Sequence, residues 1–252
     1  MKKEEATVEQ VKSEHGPILA IDIGGMSFKM LASGEIEPRS GETGKQFTPV
    51  GLVERVKALT EDWQYDCITI GVPGPVGHAG PSTEPHNLGS GWIGFNFVEA
   101  FGKPVKILND AVMQALGSYE GGRMLFLGFG TGIGAAFIGP RMVLPLELGG
   151  LRYSKKRTLG DVLGQQGMER LGKKKWNAAV NSTAENLTRV FRADYVVIGG
   201  GNASRASGLS HGIRKGHNHA AFRGGFRAWA MEGLSEQTVD RADLQKPGWH
   251  VV

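Results

Sequence analysis

The chain has almost no cysteine. Cys67 is the single thiol among 252 residues, which excludes an intrachain disulfide and fits a reducing, cytoplasmic setting. Long apolar runs are missing too. Nothing approaches the roughly 20 residues a membrane helix requires, so no membrane partner is expected. The opening stretch MKKEEATVEQVKSEHG is charged and has no apolar centre, which excludes a secretory signal and reads as a disordered leader over residues 1–16. No Gly-Lys-Ser/Thr occurs at a glycine turn, so the Walker phosphate loop is absent.

Glycine, by contrast, is abundant at 39 residues, as expected where turns are tight or backbones approach closely. Charge is spread unevenly. Residues 1–150 carry 12 basic and 17 acidic side chains, whereas residues 151–227 carry 15 and 4. Such a positive region concentrates anions. A set of solvated helix faces would give the same count.

Strand and helix patterns alternate along the chain, which places it in the α/β class. Residues 17–36 read as a hairpin around Gly24–Gly25, with glycine supplying positive φ. Residues 52–63 have helical spacing. Strands are expected in YDCITIGVPGPV, PVKILND and DYVVIGGG, and a short helix in SGWIGFNFVEAFG. AVMQALGSYEGG reads as a helix, LELGGLRY as a loop, residues 158–191 as helix with glycine breaks, and residues 225–236 as a last helix. MLFLGFGTGIGAAFI repeats the outline of ILAIDIGGMSFKMLA, with Gly130 over Gly24 and Gly128 over Asp22.

Two such turns could clasp a phosphate chain, because glycines leave backbone N–H groups accessible to anions. Thr131 would add a hydroxyl and Lys29 a cation. A plain tight turn remains open for each. The dinucleotide fingerprint requires a helix after its glycines, and AAFIG reads instead as strand. Asp110 ends an apolar strand just before a helix. That position suits a helix cap or, at a strand's carboxyl end, a general base facing a substrate hydroxyl. Glu147 is a second candidate acid, with an exposed loop residue as its alternative.

These pieces in this order resemble the ROK family of sugar kinases. AIDIGGMSFKM resembles its first phosphate motif, GVPGPV its G-x-P-G loop, and NLGSGWIGF its sugar-binding Asn and Trp segment. ILNDAVMQALG resembles the N-D-A catalytic motif, LGFGTGIGAAFI the second phosphate motif, and VVIGGGNAS the adenosine motif. The resemblance implies a two-lobed actin-like (ribonuclease H-like) ATPase fold, each lobe a mixed sheet with helices. A small lobe over 17–109, completed by the C-terminal helix, would face a large lobe over 110–252. It implies Asp110 as catalytic base and Asn87, Asn109 and Glu147 as sugar ligands. Gly24, Gly25, Gly130, Thr131 and Gly132 would hold donor phosphates, with Gly199, Gly200 and Gly201 along the nucleotide. Asp22 would orient Mg2+.

Three departures stand out. Met26 occupies a usual Thr position, Gly150 replaces a sugar-contacting His, and one cysteine cannot build the family's zinc loop, so no zinc is expected. The lack of that loop points toward the glucokinases and glucomannokinases that use polyphosphate. The implied reaction is phosphoryl transfer from polyphosphate or ATP to the 6-hydroxyl of glucose or a related hexose, by a homodimer. The alternative is an inactive sugar-binding or regulatory relative. Regulators of the family carry an N-terminal helix-turn-helix of roughly 60–80 residues. Only 16 residues precede Pro17, so nucleic-acid binding is not expected.

Overall fold

In the computed structural model, residues 15–77, 79–217, 219–231 and 250–251 are described. The first part of the chain forms β1 (Ile18–Ile23), β2 (Ser27–Ala32), β3 (Arg39–Glu42), α1 (Pro49–Leu59), β4 (Cys67–Val72), β5 (Val76–Gly77), β6 (Gly80–Pro81), α2 (Phe97–Phe101) and β7 (Val105–Asn109). The rest forms α3 (Asp110–Ser118), β8 (Met124–Phe129), β9 (Ile133–Gly139), β10 (Met142–Leu146), β11 (Arg152–Ser154), β12 (Arg157–Thr158), α4 (Leu159–Leu163), α5 (Gln165–Phe191), β13 (Tyr195–Gly199), β14 (Ile213–Lys215), α6 (Ala220–Ala230) and β15 (His250–Val251).

Among the described residues, two larger sheets carry the structure, in the orders β3-β2-β1-β4-β7 and β14-β13-β8-β9-β10-β15. β4 is buried at every position, and β1 at every position except Asp22. Strands covered on both faces read as continuous apolar runs, which is why ILAIDI and CITIGV do not alternate. The repeat seen in the sequence is also a repeat of topology. β1 pairs antiparallel with β2 and parallel with β4, and β8 pairs antiparallel with β9 and parallel with β13. Asp22 and Gly128 hold the same place, one residue before the end of the leading strand.

Several boundaries differ from the sequence expectation. α1 begins at Pro49, because Thr48 caps it through an Oγ1 that accepts the Gly51 N–H at 3.2 Å and proline suits a helix's first turn. LELGGLRY is not a loop throughout: it takes in the end of β10, a 3-10 turn over Leu148–Gly150 and the start of β11. α6 starts at Ala220, five residues early, and the expected extension over 232–236 lies outside the described residues, as does the leader over 1–14. The edge strands β3 and β14 carry too little apolar pattern to be read.

α3 and α6 cross on small residues. A methyl on Gly117 would stand 1.7 Å from the Ala220 carbonyl oxygen, and one on Gly224 would stand 1.7 Å from that of Met113. α6 also reaches the first sheet. Thr69 Oγ1 donates to the Gly225 carbonyl at 2.8 Å and accepts the Trp229 Nε1–H at 2.9 Å. Gly225 lies against Ala20 of β1, where a methyl would come within 2.7 Å of the Ala20 Cβ.

Candidate active site

β7 delivers Asn109 and Asp110 to the carboxyl edge of the first sheet, and the chain turns there into α3. Asn109, not Asp110, is the cap. Its Oδ1 accepts the N–H groups of Ala111 (3.0 Å) and Val112 (3.1 Å), and its Nδ2 donates to the Gly74 carbonyl at 2.9 Å. With the cap supplied by its neighbour, the Asp110 carboxylate accepts the Ala111 N–H through Oδ1 at 2.8 Å. The expected sugar contact of Asn109 is therefore restricted, since its carboxamide oxygen is already committed to the helix.

Asp110 has acidic company. Burial pushes its pKa up to about 6, the Ala111 N–H opposes that rise, and the Glu147 carboxylate adds to it. Asp22 is pushed up to about 7, first by burial and then by Asp110, with Lys29 opposing. Lys29 faces Asp22 directly across the β1–β2 pair. Gly71 makes the approach possible. A methyl there would lie 3.6 Å from Asp22 Oδ1, 3.5 Å from the Asp110 Cα and 2.7 Å from the Met113 sulfur. A glycine inside a buried strand signals such a close approach, and CITIGV contains one.

The two glycine turns flank this pair. The first closes with the Gly24 N–H bonded to the Ser27 carbonyl at 2.9 Å, and Thr43 holds it through Oγ1 to the Gly24 carbonyl at 2.7 Å. Asn87 packs on this turn, its Cβ 3.2 Å from where a methyl on Gly25 would be. The strand that follows the second turn, β9, touches α3, since a methyl on Gly134 would lie 2.9 Å from the Ala111 Cβ. The turn itself is braced from behind. The Gly130 carbonyl accepts Gln165 N–H at 3.0 Å and Asn202 Nδ2 at 3.2 Å, and the Phe129 carbonyl accepts the Asn202 N–H at 2.9 Å. Thr43, Gly71, Gln165 and Asn202 support the site. Of these, only Gly71 had a readable signal in the sequence.

The positive φ expected at Gly24–Gly25 is not found. None of Gly24, Gly25, Gly130 and Gly132 has positive φ. The backbone of these turns is accessible to ordinary residues, so conformational need does not explain the glycines. At Gly130 and Gly132 an added methyl meets nothing within 4 Å, so packing does not explain them either. Gly199 and Gly200 are fold requirements. A methyl on Gly199 would reach 2.3 Å from the Phe126 ring, and Gly200 has φ +78° with a methyl position 2.5 Å from the Phe129 carbonyl oxygen. Gly201 and Gly150 face open space. The amides of Gly25, Met26, Thr131 and Gly132 have no hydrogen-bond partner among the described residues, which is the raw material of an anion nest.

A cavity of about 130 Å³ is lined by Pro75, Val76, Gly134, Pro145, Glu147 and Asn109, the last next in sequence to Asp110, which does not itself line it. Glu147 is exposed and makes no helix-cap bond. Trp92, expected from NLGSGWIGF to face a sugar, is fully buried between Phe47 and Phe97 and is a core residue of the first half. Among the described residues, no three His, Cys, Asp or Glu side chains converge on a common metal position, and no helix is long and apolar enough to cross a membrane.

No protein-family model matches the chain. Among curated proteins, the bifunctional enzyme NanE/NanK of Brucella melitensis is 30% identical over 172 residues, covering 63% of this chain and 32% of that protein. The chain thus spans about a third of that relative's length. Among solved structures, the inorganic polyphosphate/ATP-glucomannokinase of Arthrobacter sp. strain KM has a TM-score of 0.71 at 22% identity, covering 85% of this chain and 98% of that one. A ROK family transcriptional regulator, a homolog of the E. coli MLC protein, has a TM-score of 0.65 at 14% identity, covering 84% and 77%. The resemblance read from the motifs agrees with these neighbours. Two mixed sheets joined through α3 and α6, with the paired glycine turns between them, give this chain the two-lobed actin-like fold of the ROK sugar kinases.

Proposed function

We propose that the chain is a ROK-type sugar kinase that moves a phosphoryl group from ATP or polyphosphate to the 6-hydroxyl of glucose or a related hexose. The observation that carries this reading is the Asp110 carboxylate, left out of the helix cap, with Asp22 brought close across Gly71 and β9, the strand leaving the second glycine turn, packed on its neighbour Ala111. The fold alone does not decide the matter, because a regulator shares it.

In this reading Asp110 accepts the proton of the attacking hydroxyl at Oδ2, the oxygen not held by the Ala111 amide. A base poised near 6 is ionised at neutral pH and still basic enough for that transfer. Glu147 and Asn87 bind sugar hydroxyls, and Asn109 fixes the direction of Asp110 by capping α3. The amides of Thr131 and Gly132, with those of Gly25 and Met26, receive the donor phosphates, and Lys29 adds positive charge. Transfer then depends mostly on positioning and charge neutralisation. Met26 is 83% exposed at the tip of the first turn, so a thioether stands where a hydroxyl would have helped hold phosphate.

Mg2+ suits this donor set. Asp22 and Asp110 are oxygen donors, the Asp110 carboxylate adds to the raised pKa of Asp22, and Mg2+ typically takes one or two carboxylates together with substrate phosphates. Asp22 would hold it, and the ion would neutralise charge on the transferring phosphates. Function in the cytoplasm as a homodimer belongs to the same proposal. The test is a coupled assay of hexose phosphorylation with ATP and polyphosphate in parallel, with Asp110→Asn as control. No turnover with either donor over several hexoses leaves the inactive sugar-binding reading instead.

A further inference from the structure

Seven of the fifteen basic side chains of residues 151–227 lie on two neighbouring elements. β11 and β12 make an exposed hairpin that carries Arg152, Lys155, Lys156 and Arg157. α5 adds Lys173, Lys174 and Lys175. None of these seven has an ion-pair partner within 4 Å among the described residues. Asp161 is the carboxylate that Arg157 attracts, but it is committed to the α4 cap, accepting the Thr158 N–H at 2.8 Å.

Between hairpin and helix lies a cleft of about 490 Å³. Its floor is apolar, made by Val162, Leu171 and Ala179, and its rim carries Tyr153, Arg157 and Lys175. Only two of the seven cations line it. A long polyanion would follow a track of charges and have no use for an apolar floor. A hydrated inorganic ion would gain nothing from it either. A few placed charges over an apolar hollow is the usual make-up of a small-molecule site. Unpartnered cations at the rim draw an anionic group to it.

We propose that this cleft binds a small organic anion bearing an apolar ring, of the aryl or heterocyclic phosphate class, at a site separate from the one around Asp110. The ring lies on Val162, Leu171 and Ala179 beside Tyr153, and the anionic group lies between Arg157 and Lys175. The occupant would bear on the second glycine turn through two short routes. Val162 belongs to α4, whose following Gly164 is packed so that a methyl would lie 2.7 Å from the Thr131 carbonyl oxygen. Trp176, next to Lys175, donates to the Leu163 carbonyl at 2.9 Å and meets the Phe129 ring edge-on at 5.7 Å.

The test uses 1-naphthyl phosphate as a fluorescent probe, titrated into the full chain with inorganic phosphate and a dT15 oligonucleotide as comparisons. One probe molecule should bind per chain. Arg157→Gln with Lys175→Gln should weaken binding by about tenfold or more, the effect of losing charge-assisted contacts. Ala178→Phe, an exposed change on the cleft wall, should also weaken it by filling the space. Gly130→Ala should leave probe binding intact. The proposal is overturned if the probe does not bind, if neither cleft variant weakens it, if inorganic phosphate binds as tightly, or if binding is lost with Gly130→Ala or displaced by excess ATP. Tight dT15 binding without probe binding overturns it in favour of a polyanion surface. None of these outcomes depends on hexose phosphorylation, so failure of the kinase reading would be seen separately.

Discussion

Gly130→Ala and Gly132→Ala separate what the fold requires from what a ligand requires. Neither position has positive φ, and a methyl at either meets nothing within 4 Å. The folded chain should accept alanine at both. The restricted unfolded chain should even make each variant more stable, by about 0.4–1 kcal/mol. A donor phosphate resting on this turn would occupy the space the methyl takes. Losing one hydrogen bond to a charged group costs about 1.5–3 kcal/mol, so the donor KM should rise by about 10–150-fold. Gly200→Ala is the control of opposite kind. Its φ of +78° and a methyl 2.5 Å from the Phe129 carbonyl oxygen should lower the melting temperature. The drop should be about 2–4 °C per kcal/mol for a chain of this size. Thermal unfolding with and without donor, together with steady-state kinetics on ATP and polyphosphate, gives both readouts. The reasoning fails if Gly130→Ala and Gly132→Ala keep the donor KM unchanged, or if they melt as early as Gly200→Ala.

Three further outcomes follow from the carboxylates. Asp110→Asn should lower turnover by about 10²–10⁴-fold, the usual worth of a general base, while calorimetry shows hexose affinity within a few-fold of the parent; full activity would remove Asp110 from the chemistry. kcat/KM should rise from pH 5 to pH 8 with an apparent pKa between about 6 and about 7 that belongs to the Asp22–Asp110 pair. Glu147→Gln should move that limb to lower pH, and a rise or no change would contradict the placement of Glu147. Both aspartates have folded pKa values above the ordinary 3.8, so the stability they contribute is present below about pH 4 and is lost as pH rises through 6 to 7. Asp22→Asn should therefore be more stable than the parent at pH 8, by on the order of 1 kcal/mol, with little difference below pH 4. Urea unfolding at the two pH values measures this, and equal gains at both would refute it.

The two hairpins and the strand ending at Asp110 were legible because their signals are local: an unbroken apolar run, then glycine, then another run. The cap was not. Asn109 and Asp110 are both capping residue types, and only the turn of the chain decides which one faces the helix amides. Trp92 shows a different limit. An aromatic residue in a glycine-rich loop reads as a ligand contact, yet its burial is decided by Phe97 nearby and by Phe47, which is distant in sequence. The supports of the second turn, Gln165 and Asn202, lie 35 and 72 residues from Gly130 and carry no pattern that links them to it. The glycines of the second turn were found in the sequence because they cluster at alternate positions. Positive φ was expected at Gly24 and Gly25 and is absent there, whereas the open space at Gly130 and Gly132 is what an accessible backbone requires.

The bond from Thr69 to Gly225 spans 156 residues, and the one from Trp229 to Thr69 spans 160. Residues 17–109 therefore leave the ribosome without the helix that covers one face of their sheet. At 5–20 residues per second the cover arrives on the order of ten seconds later. During that interval Ala20 and Thr69 are open to solvent and to neighbouring nascent chains. Any cut before residue 220 leaves that face of the sheet permanently without its cover.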